Sequence, residues 1–296
     1  MTDAMYRGAF GGLWTDRTDA KAIANERFVQ SRITRQEFDD VMFWIDNGYL
    51  VKEHAIDSAV LDNVHADIQT AVRSGTRQVT FWDEKGKHQK RAAVDDLART
   101  EAKLLDVHHT LASVQQAIFF RGMGRFLEMV FEMPAIAFQS LYFEKGSEQG
   151  LHQDTAFVYV DQPLEFVASW IALEDVQRGA GELIYYPASH RLPDRIFASG
   201  TKAMLPGDPE ISGYSADLLS RCTSAGLSEQ RFLPRRGDVL LWAADLAHGG
   251  APRLTAATRR SLVTHYCPAN RRPPYVKDGA ATRIVLDHGH SVMSGT

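Results

Sequence analysis

Leu151-His152-Gln153-Asp154 decides how this chain is read. In a strand or extended loop, side chains two apart point to the same side. His152 and Asp154 can therefore converge on one ion. A second imidazole, His248 in Ala247-His248-Gly249-Gly250, lies far along the chain and can complete a face. Two histidines and one carboxylate on one face of a metal, with the opposite positions open, form the facial triad of non-haem Fe(II) oxygenases. Singly, each of the three reads as an ordinary polar loop residue. In this order they read as a metal centre, and its open positions matter, because a closed one could not take both a co-substrate and O2.

The parts around the triad follow a recognisable order. After His152-Gln153-Asp154 come Trp170, then Tyr186-Pro187-Ala188-Ser189-His190-Arg191. The strand-like Gly237-Asp238-Val239-Leu240-Leu241-Trp242 follows, then His248-Gly249-Gly250, then Arg259-Arg260-Ser261. Over roughly residues 34–270 that series resembles the phytanoyl-CoA dioxygenase family of Fe(II)/2-oxoglutarate-dependent oxygenases. The resemblance implies that His152, Asp154 and His248 bind Fe(II). It implies that Arg259 grips the far carboxylate of 2-oxoglutarate, with Ser261 beside it, and that Trp170 lies next to the co-substrate. Leu141 and Tyr142, on the strand before the His-x-Asp loop, are further candidates for that contact. The reaction implied is hydroxylation of an unactivated C–H of a small-molecule substrate by O2, with 2-oxoglutarate converted to succinate and CO2.

One of these assignments also follows from the residues themselves, and a second from comparison with related enzymes. Alternation along a strand puts Arg259 and Ser261 on one side and Arg260 on the other. A guanidinium fork matches a carboxylate with two parallel hydrogen bonds and stays charged at any working pH. Asp154 supplies a carboxylate where related iron halogenases lack one. That favours an oxygen-type outcome and leaves desaturation, ring closure and epimerisation open.

Composition narrows the remaining classes. A chain of 296 residues holds one large domain, and 44% hydrophobic with 24% charged residues is ordinary for a soluble protein. A net charge of −4, with basic pairs only at Arg235-Arg236, Arg259-Arg260 and Arg271-Arg272, gives no nucleic-acid stripe. Cys222 and Cys267 are far apart and have neither CxxC nor zinc spacing, so two free thiols in a reducing, cytoplasmic compartment are expected. Met1–Trp14 lacks a signal-peptide pattern, no stretch approaches the ~18 apolar residues of a membrane span, and Ser294-Gly295-Thr296 is not a peroxisomal address.

Read in order, residues 1–33 form an arm without a clear period, and 34–296 a single oxygenase domain. Thr34 with Glu37 makes a capping box, and Phe38, Val41, Met42 and Ile45 follow at helical spacing up to Asn47-Gly48. Tyr49-Leu50-Val51 reads as a strand, and a second helix runs from about Asp57 to Arg73. A hairpin is expected around Asp83-Glu84-Lys85-Gly86. A helix from Thr110 to Met133 is expected to break near Gly122 and Gly124. From about 135 to 270 the chain is strand-rich: 137–143, 166–173, 182–186, 239–242 and 262–266. Residues 192–227 interrupt those strands as a lid or a surface excursion. Ile284-Val285-Leu286 reads as an edge strand.

The fold expected is mainly β with flanking helices: a double-stranded β-helix, also called a jelly-roll or cupin-like barrel, buttressed by the helices of 34–134. His108 and His109 are expected at the surface or in a cap, and His265 packed in a strand. His190 is expected to be structural, with Arg191 able to face a substrate. Two rival functions keep the same barrel: a cupin-type metal enzyme that does not use 2-oxoglutarate, and a non-catalytic binding protein. The side chains name neither the substrate nor the oligomeric state.

Overall fold

The computed structural model describes the chain outside residues 1–4, 75–79, 83–89, 92–96, 98–101, 206–207, 274–280 and 296. Helices α1 (Ala20–Val29) and α2 (Arg35–Asn47) come first. The capping box at Thr34 forms as expected. Thr34 Oγ1 accepts from the Glu37 amide at 3.2 Å, and Glu37 Oε2 accepts from the Thr34 amide at 2.7 Å. Gly48 ends α2 at φ 73°, a left-handed turn that a glycine makes without a Cβ penalty. Thr34→Ala should lower stability by about 1 kcal/mol. A urea titration should show a shifted midpoint with an unchanged slope.

The segment 1–33, expected as an arm or loop packed on the barrel or on a second subunit, carries a helix, α1, and packs into the domain. Leu13 and Trp14 are buried, and Trp14 Nε1 donates to the Met129 carbonyl at 2.8 Å. The helix left no apolar period to read because its buried residues are two alanines, Ala20 and Ala24.

Helix α3 (Ser58–Ser74) buries Leu61, Val64, Ile68 and Val72, as their spacing predicts. The next helical run splits into α4 (Ala112–Ile118) and α5 (Arg121–Phe131). The break falls at Phe119-Phe120, and both glycines lie inside α5. Gly124 answers to packing: a Cβ there would meet His290 Nε2 at 2.8 Å.

Thirteen strands are described: β1 (Tyr49–Lys52), β2 (Thr80–Trp82), β3 (Lys90–Arg91), β4 (Lys103–Leu105), β5 (Ala135–Phe143), β6 (Val167–Ala172), β7 (Leu183–Tyr185), β8 (Gln230–Phe232), β9 (Val239–Ala243), β10 (His248–Gly250), β11 (Ser261–Pro268), β12 (Ala281–Val285) and β13 (Ser291–Gly295). The larger sheet runs β1-β9-β6-β11-β5-β4-β2-β3, and the smaller one β10-β7-β8. β2 and β3 pair antiparallel as the expected hairpin, whose turn at Asp83–Gly86 lies outside the described residues. The expected edge strand is β12. It pairs with β13, which docks on β5 in parallel.

Alternation along the large sheet separates two cores. Tyr142, Leu241, Leu262 and Tyr266 face the helices. Phe143, Trp170, Trp242 and Val263 face the small sheet, with Leu183, Tyr185 and Phe232 opposite. Two facing, mostly antiparallel sheets with helices on one outer side form the double-stranded β-helix expected. Residues 192–227 carry α6 (Tyr214–Ser224), and Phe197, Met204 and Tyr214 of this stretch pack with Leu151, Tyr186 and Ala247 beside the His-x-Asp loop.

Candidate active site

His152, Asp154 and His248 meet inside a cavity of about 1000 Å³ between the sheets. Their potential ligand atoms lie within 4.8 Å of one another, and all three residues are buried. The backbone brings them together: His152 and His248 exchange two amide-to-carbonyl hydrogen bonds of 2.8 Å across the gap between the loop and β10. Each imidazole is then oriented by its own loop. His152 Nδ1 is 2.8 Å from the Gly150 carbonyl, and His248 Nδ1 is 2.9 Å from the Leu246 carbonyl. A carbonyl only accepts, so Nδ1 carries the hydrogen in both rings. The two Nε2 lone pairs therefore point toward Asp154 Oδ1, at 3.7 Å and 3.6 Å.

That convergence constitutes the test for a metal. Two ring nitrogens and a carboxylate oxygen aimed at one point suit a cation between them, and the Gln149 side-chain amide, 3.2 Å from His152 Nε2, also reaches this point. Burial, with His248 nearby, holds the His152 ring down to about 3, so it is neutral at physiological pH. Burial pushes the Asp154 carboxyl up, but His248, His265 and His152 outweigh it and hold it below its ordinary value. Trp242 Nε1 donates to Asp154 Oδ2 at 2.8 Å, which leaves Oδ1 facing the histidines. The donor set fits Fe(II), with one carboxylate and two imidazoles on one side. Trp242→Phe removes the hydrogen bond that orients Asp154 and should weaken iron binding about 10- to 100-fold, as read by competition with a chromogenic chelator.

A second group of unmatched donors lies deeper. Arg259 is buried; Nη1 donates to the Gly181 carbonyl at 2.9 Å, while Nε has no partner. Burial lowers the guanidinium to about 10, still charged at neutral pH. Its carbon lies 5.4 Å from the Trp170 ring centre and 5.6 Å from that of Phe143. Trp170 Nε1 and Ser261 Oγ are likewise buried without a partner among the described residues. One cation and these unused N–H and O–H groups suit a carboxylate. Arg260 points the other way and pairs with Glu144 at 2.7 Å and Glu174 at 3.1 Å.

Other expectations fare differently. Leu141 lines the cavity. Tyr142, its neighbour, cannot, because it lies on the helix-facing side, where its hydroxyl donates to Glu144 Oε2 at 2.5 Å. His108 is fully buried against Ser140 Oγ at 2.7 Å, rather than at the surface. Arg191 bonds to the Ile45 carbonyl and to Asp46, away from the triad's cavity, so it faces no substrate there. His265, expected to be a packing residue, lines the cavity with Nε2 3.3 Å from Asp154 Oδ2. The signal for it was available: 259, 261, 263 and 265 share one side of an alternating strand.

The sequence profile described as "Phytanoyl-CoA dioxygenase (PhyH)" matches residues 44–261. The chain is 27% identical over 206 residues to phytanoyl-CoA dioxygenase domain-containing protein 1 of Rattus norvegicus, covering 65% of this chain and 66% of the rat protein. It is 27% identical over 192 residues to phytanoyl-CoA dioxygenase 1 of Oryza sativa subsp. japonica, covering 60% of this chain and 63% of the rice protein. The match thus spans just under two-thirds of these relatives' length. Among solved structures, the non-heme alpha ketoglutarate dependent epimerase SnoN from nogalamycin biosynthesis superposes with a TM-score of 0.61 at 14% identity, over 88% of this chain and 99% of SnoN. EctD from S. alaskensis, solved with 2-oxoglutarate and 5-hydroxyectoine, gives 0.57 at 16% identity, over 81% of this chain and 78% of EctD. At such identities the likeness is one of fold.

Proposed function

From the premise that the chain belongs to the phytanoyl-CoA dioxygenase family, we propose that it is an Fe(II)- and 2-oxoglutarate-dependent oxygenase that hydroxylates an unactivated C–H of a small molecule. The observation that carries this is the aim of two Nδ1-protonated imidazoles and Asp154 Oδ1 at one point. Iron bound there would supply the O2 chemistry that couples conversion of 2-oxoglutarate to succinate and CO2 with oxidation of the substrate.

The chain's own part is to bind, orient and exclude water. His152, Asp154 and His248 hold the metal, and Trp242 fixes which carboxylate oxygen faces it. Arg259 and Ser261 take the far carboxylate of 2-oxoglutarate, with Trp170 and Leu141 walling the co-substrate on its flanks. Met204, Leu205 and Ile211 of the 192–227 insertion line the cavity mouth, and we read that insertion as the lid. The 2-oxoglutarate reading is preferred to a cupin-type enzyme because the latter leaves Arg259, Ser261 and Trp170 with nothing to bind. No described helix is long and apolar enough to cross a membrane, and the two buried free cysteines accord with a reducing, cytoplasmic setting.

Anaerobic titration of the Fe(II)-loaded protein with 2-oxoglutarate tests the reading. A saturable visible band from the 2-oxo acid on iron, lost in His248→Ala, is expected. Bound iron without a band would assign a metal enzyme of the other kind.

A further inference from the structure

The cavity floor carries a polar row that neither the triad nor the carboxylate site uses. Strands β11, β5 and β4 lie side by side, and their register sets His265 against Gln139. Asp106 follows β4 directly: its amide donates to the Ser140 carbonyl at 2.7 Å, and its Oδ1 accepts from the Ser140 amide at 3.0 Å. Asp106 thus lies against Ser140, one residue on from Gln139, and His265, Gln139 and Asp106 all line the cavity. The next row, Val263, Leu141 and Leu105, is apolar.

Two features of this row call for a ligand. His265 is buried with Nε2 3.3 Å from Asp154 Oδ2, and its Nδ1 has no hydrogen-bond partner among the described residues. Asp106 is partly buried, and among the described residues no lysine or arginine lies within ion-pair distance of its carboxylate. Burial raises that carboxyl to about 6, against the Ser140 hydrogen bond and His265, so it is ionised at neutral pH. An ionised carboxylate in a mostly apolar chamber is costly unless something of opposite charge joins it. A neutral hydroxyl would satisfy its hydrogen bonding but not its charge.

Building on the oxygenase reading, we propose that the substrate is an amphiphilic amine, its ammonium held by Asp106 and its apolar body lying over Leu105, Leu141, Phe157 and Met204. The cavity has far more room than 2-oxoglutarate needs. From the strand of His265 to Asp106 is two inter-strand steps, roughly 10 Å. The carbon presented to the metal is thus several bonds from the nitrogen, and His265 with Gln139 is placed to contact polar groups between them.

The test is binding, read by fluorescence of Trp170 and Trp242, with octylamine and 1-octanol as probes of equal length. It is run on metal-free protein and, without air, on protein with Fe(II) and 2-oxoglutarate. Octylamine should bind about tenfold tighter than 1-octanol, the advantage of a charge-assisted hydrogen bond. Asp106→Asn keeps an acceptor for the Ser140 amide and should bring the two probes within about twofold, with octanol affinity unchanged as the control for folding. Equal binding by the wild type, or an amine preference that survives Asp106→Asn, overturns the proposal. So does an amine preference absent from the metal-free protein and seen only with metal bound, which would give Asp106, with His108 and His109 nearby, to a metal instead. Because the metal-free arm needs neither iron nor co-substrate, failure of the oxygenase reading would be seen separately.

Discussion

His152→Ala and Asp154→Ala are expected to fold and to hold no Fe(II). Either change removes one of three ligands on a face that has no spare. The loss should exceed the 10- to 100-fold typical of groups that only orient a ligand, so iron affinity should fall by more than about 100-fold. The fold should survive because the loop is secured by backbone. The His152–His248 amide pairing does not use the imidazole, and the Asp154 carbonyl accepts from the amides of Phe157 and Val158 at 2.8 Å and 2.7 Å. Asp154→Ala also strands Trp242 Nε1 in the cavity wall. Trp242→Phe leaves the buried Asp154 Oδ2 short of the same hydrogen bond, so it too should cost stability. Metal analysis after gel filtration, thermal melting and 2-oxoglutarate consumption read the three effects. Full iron content in either variant would move the metal centre elsewhere.

What the sequence disclosed, and what it hid, follows from the range of each signal. The triad was legible because two of its ligands are two residues apart, and strand geometry alone puts them together. Arg259 was legible over Arg260 by the same alternation, and the ion pairs of Arg260 with Glu144 and Glu174 agree with it. Applied with equal rigour, alternation separates Leu141 from Tyr142, since neighbours in a strand cannot share a face. It also moves His265 from the packed interior to the cavity. His265 was obscured because 11 histidines compete for attention and only strand pairing shows which of them approaches Asp154.

The helical errors have another cause. α1 buries alanines, which carry no periodic apolar signal, and Gly124 looked like a breaker although it makes room for His290 of the C-terminal hairpin. β4 is three residues long and β13 lies beyond a proline-rich tail, so neither stands out locally. Asp106, which ends β4, was hidden with it. A polar residue at the end of an unseen strand cannot be assigned to a cavity.

Arg259→Ala should raise the 2-oxoglutarate requirement by about 30- to 150-fold, the equivalent of about 2–3 kcal/mol for one lost bidentate carboxylate contact. The same site should show the reverse effect on stability. Arg259 is buried with one carbonyl acceptor and, among the described residues, no hydrogen-bonded carboxylate; burial outweighs the nearby Glu182 charge and lowers its guanidinium to about 10 from 12.5. A base whose pKa falls on folding opposes folding wherever it must remain charged. That opposition is present below about pH 10 and fades as pH rises through the unfolded value. Arg259→Leu, which retains bulk without charge, should therefore melt higher than the wild type when no 2-oxoglutarate is present. The order should invert with co-substrate. At 100 times its Kd, a ligand adds about 2.7 kcal/mol to a protein that binds it, and the leucine variant should gain almost none. A thermal-shift series with and without 2-oxoglutarate at neutral pH measures both halves. If the variant bound 2-oxoglutarate as well as the wild type, the carboxylate would belong to another cation, of which Lys103 lines the cavity among the described residues. If it bound poorly yet melted lower, the burial cost of Arg259 would be offset by packing against Trp170 and Phe143 even in the empty pocket.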